Sequence, residues 1–254
     1  MNLDRVTITG ADDSVLSTDL SVLSAEFPFV EWGILVSENN TAGILSGPAI
    51  PRFPSVDWIT SLCRHAEEHR MALSLHVCGR WVRELLLGRI HIPPALTSQI
   101  FERIQLNFHA ENTPCNAPKL LRALLEIGPQ QFIFQVDGAN RNEHLEALYG
   151  ENDIVGFDDA VPLFDISGGA GVVPSEWPKP QYMADDVNYV YHGYAGGLGP
   201  NNLETQLPLI ARAAGDCRIW IDMETKVRSN NDKLFDLEKV RRCLEICTTW
   251  VSRR

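Results

Sequence analysis

Residues 103–111 read Arg103-Ile-Gln-Leu-Asn-Phe-His-Ala-Glu111, and their alternation decides the fold. In an extended chain successive side chains point to opposite faces, so Ile104, Leu106 and Phe108 share one side while Gln105, Asn107, His109 and Glu111 share the other. Two other stretches repeat the pattern. Leu73, Leu75 and Val77 oppose Ser74, His76 and Cys78, and Phe132, Phe134 and Val136 oppose Ile133, Gln135 and Asp137. An apolar outer face fits strands covered by helices. The polar faces then point inward, and their groups gather toward the C-terminal strand ends, where closed parallel barrels bind ligands.

Working outward, eight such runs recur: Arg5–Thr9, Val30–Ser37, Ala72–Cys78, Arg103–His109, Phe132–Asp137, Val161–Ile166, Val187–Tyr194 and Arg218–Glu224. Most begin roughly 30 residues apart, the length of one strand–helix unit. The second unit is longer by the Gly-, Pro- and Asn-rich loop from Glu38 to Pro54. The intervening segments read as amphipathic helices. In the last, Leu237, Val240, Leu244 and Cys247 share a face, and Asp236 is placed to cap the start. Eight units in 254 residues predict an α/β fold, a single-domain (β/α)8 TIM barrel over residues 1–254. An open doubly wound sheet, the competitor, usually has fewer strands.

Composition narrows the function. A formal net charge of -11 argues against nucleic-acid or anionic-membrane partners, which need a basic face. The six cysteines form no Cys-x-x-Cys pair and no zinc spacing with His, and Cys243 and Cys247 read as core thiols. No cofactor is expected. The stretch MNLDRVTITG has no apolar signal core, so a cytoplasmic protein is expected.

Gly193-Tyr-Ala-Gly-Gly-Leu-Gly-Pro-Asn-Asn202 follows the seventh run. Glycines permit backbone angles closed to other residues and let N–H groups approach a ligand; Pro200 suits the first turn of a helix. Strand, bare turn and helix start form the layout of an anion site. The same layout also serves as a tight connection without a ligand.

Several motifs together resemble phosphoribosylanthranilate isomerase, a (β/α)8 enzyme. Ala195–Leu203 resembles that family's seventh-strand phosphate loop, and Leu163–Gly171 its sixth strand, where an Asp precedes a Gly-Gly-x-Gly loop. Trp220–Ser229 followed by Asp236–Ile246 is similar to its eighth strand and closing helix; Trp32–Val36, Ile50–Ser55 and Gln105–Glu111 resemble elements of the N-terminal half. The resemblance implies a small phosphorylated substrate and an Amadori rearrangement, an aldosylamine becoming an aminoketose. It implies Asp165 as general acid, Arg52 as substrate-holding arginine, and Gly168, Gly169, Gly196 and Gly197 as phosphate donors.

Three departures stand out. Thr9 occupies the place of the family's cysteine base, and an unactivated hydroxyl cannot take a carbon-bound proton at neutral pH. Glu224–Arg228 replaces the eighth-strand phosphate segment, leaving Lys226 and Arg228 to supply charge, and Asn107 replaces a histidine. His76, His109, Asp12 or Asp13 are the candidates for the missing base, imidazole because it titrates near neutrality. Asp12 and Asp13 equally suit a helix cap. Lys226 also suits a Schiff base. A metal-dependent lyase or isomerase using His76, His109, Asp137, Glu224 and an inward His192 is the second reading, and a barrel that binds phosphorylated ligands without turnover is the third.

Overall fold

Eight parallel strands close on themselves in the order in which the chain supplies them, β8 pairing back onto β1. They are β1 (Asn2–Thr9), β2 (Val30–Val36), β3 (Ala72–Val77), β4 (Phe101–Leu106), β5 (Gln131–Val136), β6 (Ala160–Phe164), β7 (His192–Ala195) and β8 (Arg218–Met223). The computed structural model describes residues 1–41, 50–93, 96, 100–108, 114–128, 131–136, 159–165, 170–180 and 191–251. Each expected run contains or overlaps one strand. In the seventh, residues 187–190 lie outside the described residues.

Six helices are described: α1 (Ser17–Glu26), α2 (Val56–His69), α3 (Gly79–Leu86), α4 (Ala117–Ile127), α5 (Leu203–Ala214) and α6 (Leu237–Cys247). Side-chain caps set several of their starts. Ser55 accepts from the Trp58 N–H, Asn116 from the Lys119 N–H, and Asp236 from those of Glu238 and Lys239, satisfying donors that a first turn leaves orphaned. Along α6, Val240, Leu244 and Cys247 of the expected stripe are fully buried together with Cys243, and Leu237 at its start is half-buried against the same core. Burying Val240 and Leu244 contributes about 1.5–3 kcal/mol each. All six cysteines are free thiols. Between β8 and α6 the chain inserts a short hairpin, β9 (Arg228–Ser229) with β10 (Leu234–Phe235). Among the described residues, no helix is long and apolar enough to cross a membrane.

The period-of-two reading predicts two different environments, and the structure has them. Leu73, Leu75, Val77, Ile104, Leu106, Phe108, Phe132, Phe134 and Val136 all belong to the large apolar cluster shared with the helices. Ile133 instead belongs to a small second cluster with Val161, Leu163, Ala195 and Trp220. Apart from Leu35, the remaining buried groups opposite the helices are polar: Thr7, Thr9, Glu31, Ser74, His76, Arg103, Gln105, Gln135 and Asp222. A charged cluster holds this interior together. Glu31, with no exposed surface, accepts from Arg103 at 2.7 Å, Arg5 at 2.5 Å and the Thr7 hydroxyl at 2.9 Å. Burial alone raises a carboxyl, but the two guanidiniums outweigh it and hold Glu31 well below the usual carboxylate range. Arg103 also lies over the Trp220 ring, 4.4 Å from its centroid.

Gly33 of β2 is shaped by this interior. A Cβ there would meet the Thr9 hydroxyl oxygen at 2.2 Å and His76 Nε2 at 2.8 Å, so both side chains occupy space that any other residue would claim.

Candidate active site

The polar column opens at the C-terminal strand ends into a recess of about 530 Å3, a figure that includes solvent at its mouth. Carboxyl groups from two strand ends line it: Asp165 directly after β6, Asp222 in β8 and Glu224 just beyond β8. Gln105, Asn107 and Gln135 add amides, and Gly196, Gly197 and Lys226 form another part of its wall.

Asp222 has the most altered chemistry. One carboxylate oxygen accepts the Thr9 hydroxyl hydrogen at 2.7 Å, across the junction where β8 closes onto β1. Burial pushes the Asp222 carboxyl up to about 7, with Glu224 and Glu31 adding to the rise against the pull of Thr9 and Arg103. A carboxyl poised there exchanges protons at neutral pH. Glu224 is raised too, by burial first and then by Asp232 and Asp165, while Arg52 opposes the rise. Asp165 is buried and accepts from Gln135 Nε2 at 3.1 Å.

Thr9 thus serves as a hydrogen-bond donor to Asp222, and its proton is committed there. Arg52 does not line the recess. Its guanidinium reaches Glu224 and Asp232, each at 2.5 Å, so it meets the recess only through Glu224. His76 also lies outside the recess lining, in the buried interior, where Nε2 contacts the Ser74 hydroxyl at 3.0 Å. Burial pushes its imidazole down to about 3, against the pull of Glu31 and with Arg103 adding, which leaves a weak base.

Asp12 and Asp13 are structural and do not cap α1. Asp12 accepts from the Arg52 N–H at 2.8 Å and from Arg228 at 2.7 Å; Asp13 accepts from the backbone and hydroxyl of Ser55. The residue preceding α1 is Leu16, with no side-chain cap. Arg228 is buried, bound to Asp12, to Asp232 and to the Gly10 carbonyl, and supplies no charge to the recess wall. His192 faces away from the barrel interior, packed edge-on against Phe164 and Tyr194 of the outer core. His109, Asp137, Gly168 and Gly169 lie outside the described residues. Among the described residues, no group of three or more His, Cys, Asp or Glu side chains is arranged to hold a metal ion.

The glycine loop adopts the backbone that its sequence anticipates. Gly196 has φ +120 and Gly197 φ +62, both in the region that side chains disfavour. A Cβ on Gly197 would also sit 2.7 Å from the Gly171 carbonyl and the Val173 nitrogen, so the 171–173 segment packs directly against the turn, and Gly171 itself lines the recess. Lys226, in the 3-10 turn Thr225–Val227, is exposed beside this loop. Pro200 sits in the turn leading into α5, where the Leu203 N–H bonds back to the Gly199 carbonyl.

Asp222 is the recess residue that the sequence expectations do not include. The signal for Asp222 was the alternation of β8, Trp220, Asp222 and Glu224 on one face against Ile219, Ile221 and Met223 on the other. The inward Trp220 disguises it as an ordinary apolar strand.

No protein-family model and no curated protein matches the chain. Solved structures do. A monomeric form of dimeric phosphoribosylanthranilate isomerase from Thermotoga maritima is 14% identical, with TM-score 0.54 over 97% of this chain and 100% of that one. A truncated 3-deoxy-D-arabino-heptulosonate 7-phosphate synthase from the same organism is 11% identical, with TM-score 0.57 over 98% and 86%. An N-acetylneuraminic acid synthetase from Leptospira borgpetersenii is 11% identical, with TM-score 0.53 over 97% and 82%. At such identities the likeness is one of architecture: the chain has the fold of the α/β TIM barrels.

Proposed function

We propose that this protein is an acid–base isomerase acting on a small phosphorylated sugar derivative. One observation carries the reading: Asp222 and Asp165, from different strands, flank one recess at the C-terminal barrel face together with a glycine loop and Lys226. Asp222 is the general base. Thr9, standing where the resembled family has its cysteine, hands that position to the neighbouring carboxylate by donating its hydroxyl hydrogen to it. A carboxylate raised to about 7 is a stronger base than an ordinary one, yet remains half ionised near neutrality. Asp165 is the general acid, protonating the ring oxygen as the C1–O bond breaks and the nitrogen lone pair forms the C1 iminium; Asp222 then takes the C2 proton to give an enolamine, which becomes the ketone as C1 gains a proton and the C2 hydroxyl loses one. The phosphate rests against the amides of Gly197 and Leu198 and the Lys226 ammonium. Among the described residues those two amides donate to no protein acceptor, which supports the assignment.

The purified protein is assayed with N-(5-phosphoribosyl)anthranilate and with aldose phosphates, beside Asp222→Asn and Asp165→Asn. Turnover abolished about 100-fold or more by either change supports the roles. The rate should rise as pH climbs through about 7. An activity that falls over that range refutes Asp222 as base. Absence of both turnover and phosphate-ester binding by the unmutated protein removes the whole reading.

A further inference from the structure

A second cavity lies between the segment 174–180 and α5, and no residue lines both it and the recess. It holds about 630 Å3, solvent at its mouth included. Its loop wall is firmly built. Pro174, Pro178 and Pro180 each lock a backbone angle. The Tyr194 hydroxyl of β7 donates to the Pro178 carbonyl at 2.7 Å, and the Trp177 indole N–H donates to Gln206 Oε1 of α5 at 3.0 Å. Trp177 is buried and stands edge-on to Tyr194, with ring centroids 5.7 Å apart. The wall is thus formed before any ligand arrives, as in most small-molecule sites.

The fold does not account for two features of the lining. Leu209 of α5 leaves 42% of its surface exposed on a wall it shares with Pro174 and Trp177. Lys179 and Arg212 line the same cavity, and among the described residues neither has an ion-pair partner. The Glu176 carboxylate lines it too and pairs with neither of them. The chain carries 33 acidic residues against 22 Lys and Arg, so two unclaimed cations at one cavity are unexpected. Arg212 stands in the last turn of α5, where the helix end favours a cation, but Lys179 has no such reason for its place. Two positive charges against one negative favour an anion, and the guanidinium fork matches a carboxylate with two parallel bonds.

We infer that this cavity is a second ligand site, for a small carboxylate with a flat hydrophobic body. The body lies against Pro174, Trp177 and Leu209, and the carboxylate turns toward Lys179 and Arg212. The site is independent of the reading of the recess. Inorganic phosphate lacks the apolar body that would cover Leu209 and Trp177, and an amine would meet two like charges. Lys179 and Arg212 are exposed, so they supply selectivity for the anion more than affinity, and removing apolar surface from water supplies most of the binding.

Naphthalene-2-carboxylate is titrated into the full chain by calorimetry and by NMR of amide, indole N–H and leucine methyl groups, beside naphthalene-2-carboxamide and 2-naphthylmethylammonium. Wild type is compared with Leu209→Gln and with the double variant Lys179→Gln, Arg212→Gln, all exposed positions whose replacement should leave the melting temperature unchanged. The carboxylate should bind wild type and shift the Trp177 indole N–H and the Leu209 methyls. The carboxamide should bind about tenfold more weakly, and the ammonium more weakly still. The double variant should lose about tenfold in affinity for the carboxylate and nothing for the carboxamide, while Leu209→Gln weakens both. Wild type that binds no carboxylate, or shifts confined to recess residues such as Gly196 and Leu198, overturns the site. A carboxamide that binds as tightly as the carboxylate, or a double variant that keeps the preference for the carboxylate, overturns the role of the two cations. Should a variant fail to fold, the wild-type order of the three ligands and the shifts at Trp177 and Leu209 decide by themselves.

Discussion

Replacing Asp222 with Asn should make the protein more stable, and only above a particular pH. Asp222 moves from an ordinary value of 3.8 to about 7 in the folded chain, mainly because burial disfavours its charge. Each pH unit of such a difference is worth about 1.4 kcal/mol, so ionising Asp222 in the native state costs up to about 4 kcal/mol relative to the unfolded chain. The sign follows from proton counting. Between about pH 4 and pH 7 the native state holds a proton that the unfolded state has lost. The stability linked to that proton is fully present below about pH 4 and is lost as pH rises through 7. Asparagine cannot ionise, and its amide oxygen still accepts from Thr9. The variant should therefore match wild type near pH 4 and exceed it by about 2–4 kcal/mol at pH 8, in urea unfolding at both values. Equal stabilities at pH 8, or a variant that is weaker there, would refute the argument that the fold holds this carboxyl in a costly state.

Thr9→Val removes one hydrogen bond to the charged form, worth about 1.5–3 kcal/mol, so the Asp222 titration followed by carbon NMR should move up by about one pH unit or more. Gly197→Ala places a side chain at φ +62 and 2.7 Å from the Gly171 carbonyl; a loss of about 1–3 kcal/mol in chemical denaturation is expected, with loss of phosphate binding in calorimetry. Glu31→Gln strips the partner from two guanidiniums in the barrel interior, and the melting curve should show a loss of about 3–5 kcal/mol.

The barrel was legible because the physics that builds it is local. Leu73 to Val77 alternate strictly, and Phe132 to Val136 do so but for the inward Ile133, since one face of each strand meets helices and the other meets the barrel axis. Asp236 announced the last helix for the same reason, its partners lying two and three residues away. The site was legible only in part. Asp165 and the glycines stand beside telling neighbours in the chain, whereas Arg52 takes its meaning from Glu224, 172 positions distant, and from Asp232, 180 positions distant. Nothing near Asp12 reveals that Arg228 will claim it. His192 follows the same alternation as its neighbours, but its side is settled by Trp220 across the sheet, a Cβ on Gly193 meeting that ring at 2.2 Å. Proton affinity is harder still to read, because the value at Asp222 sums burial with charges contributed by β2, β4 and the segment after β8.

The bare position at Gly33 has a consequence for how such a protein can change. Among the described residues, β2 contributes no side chain to the recess wall, so its sequence looks free to drift. Yet a single methyl group at position 33 would displace the Thr9 hydroxyl and with it the bond that tempers Asp222. Selection for working pH would then register on a strand that sends no described side chain to the recess, and variants tuned for acid or alkaline operation should keep position 33 unaltered while varying the charges around it.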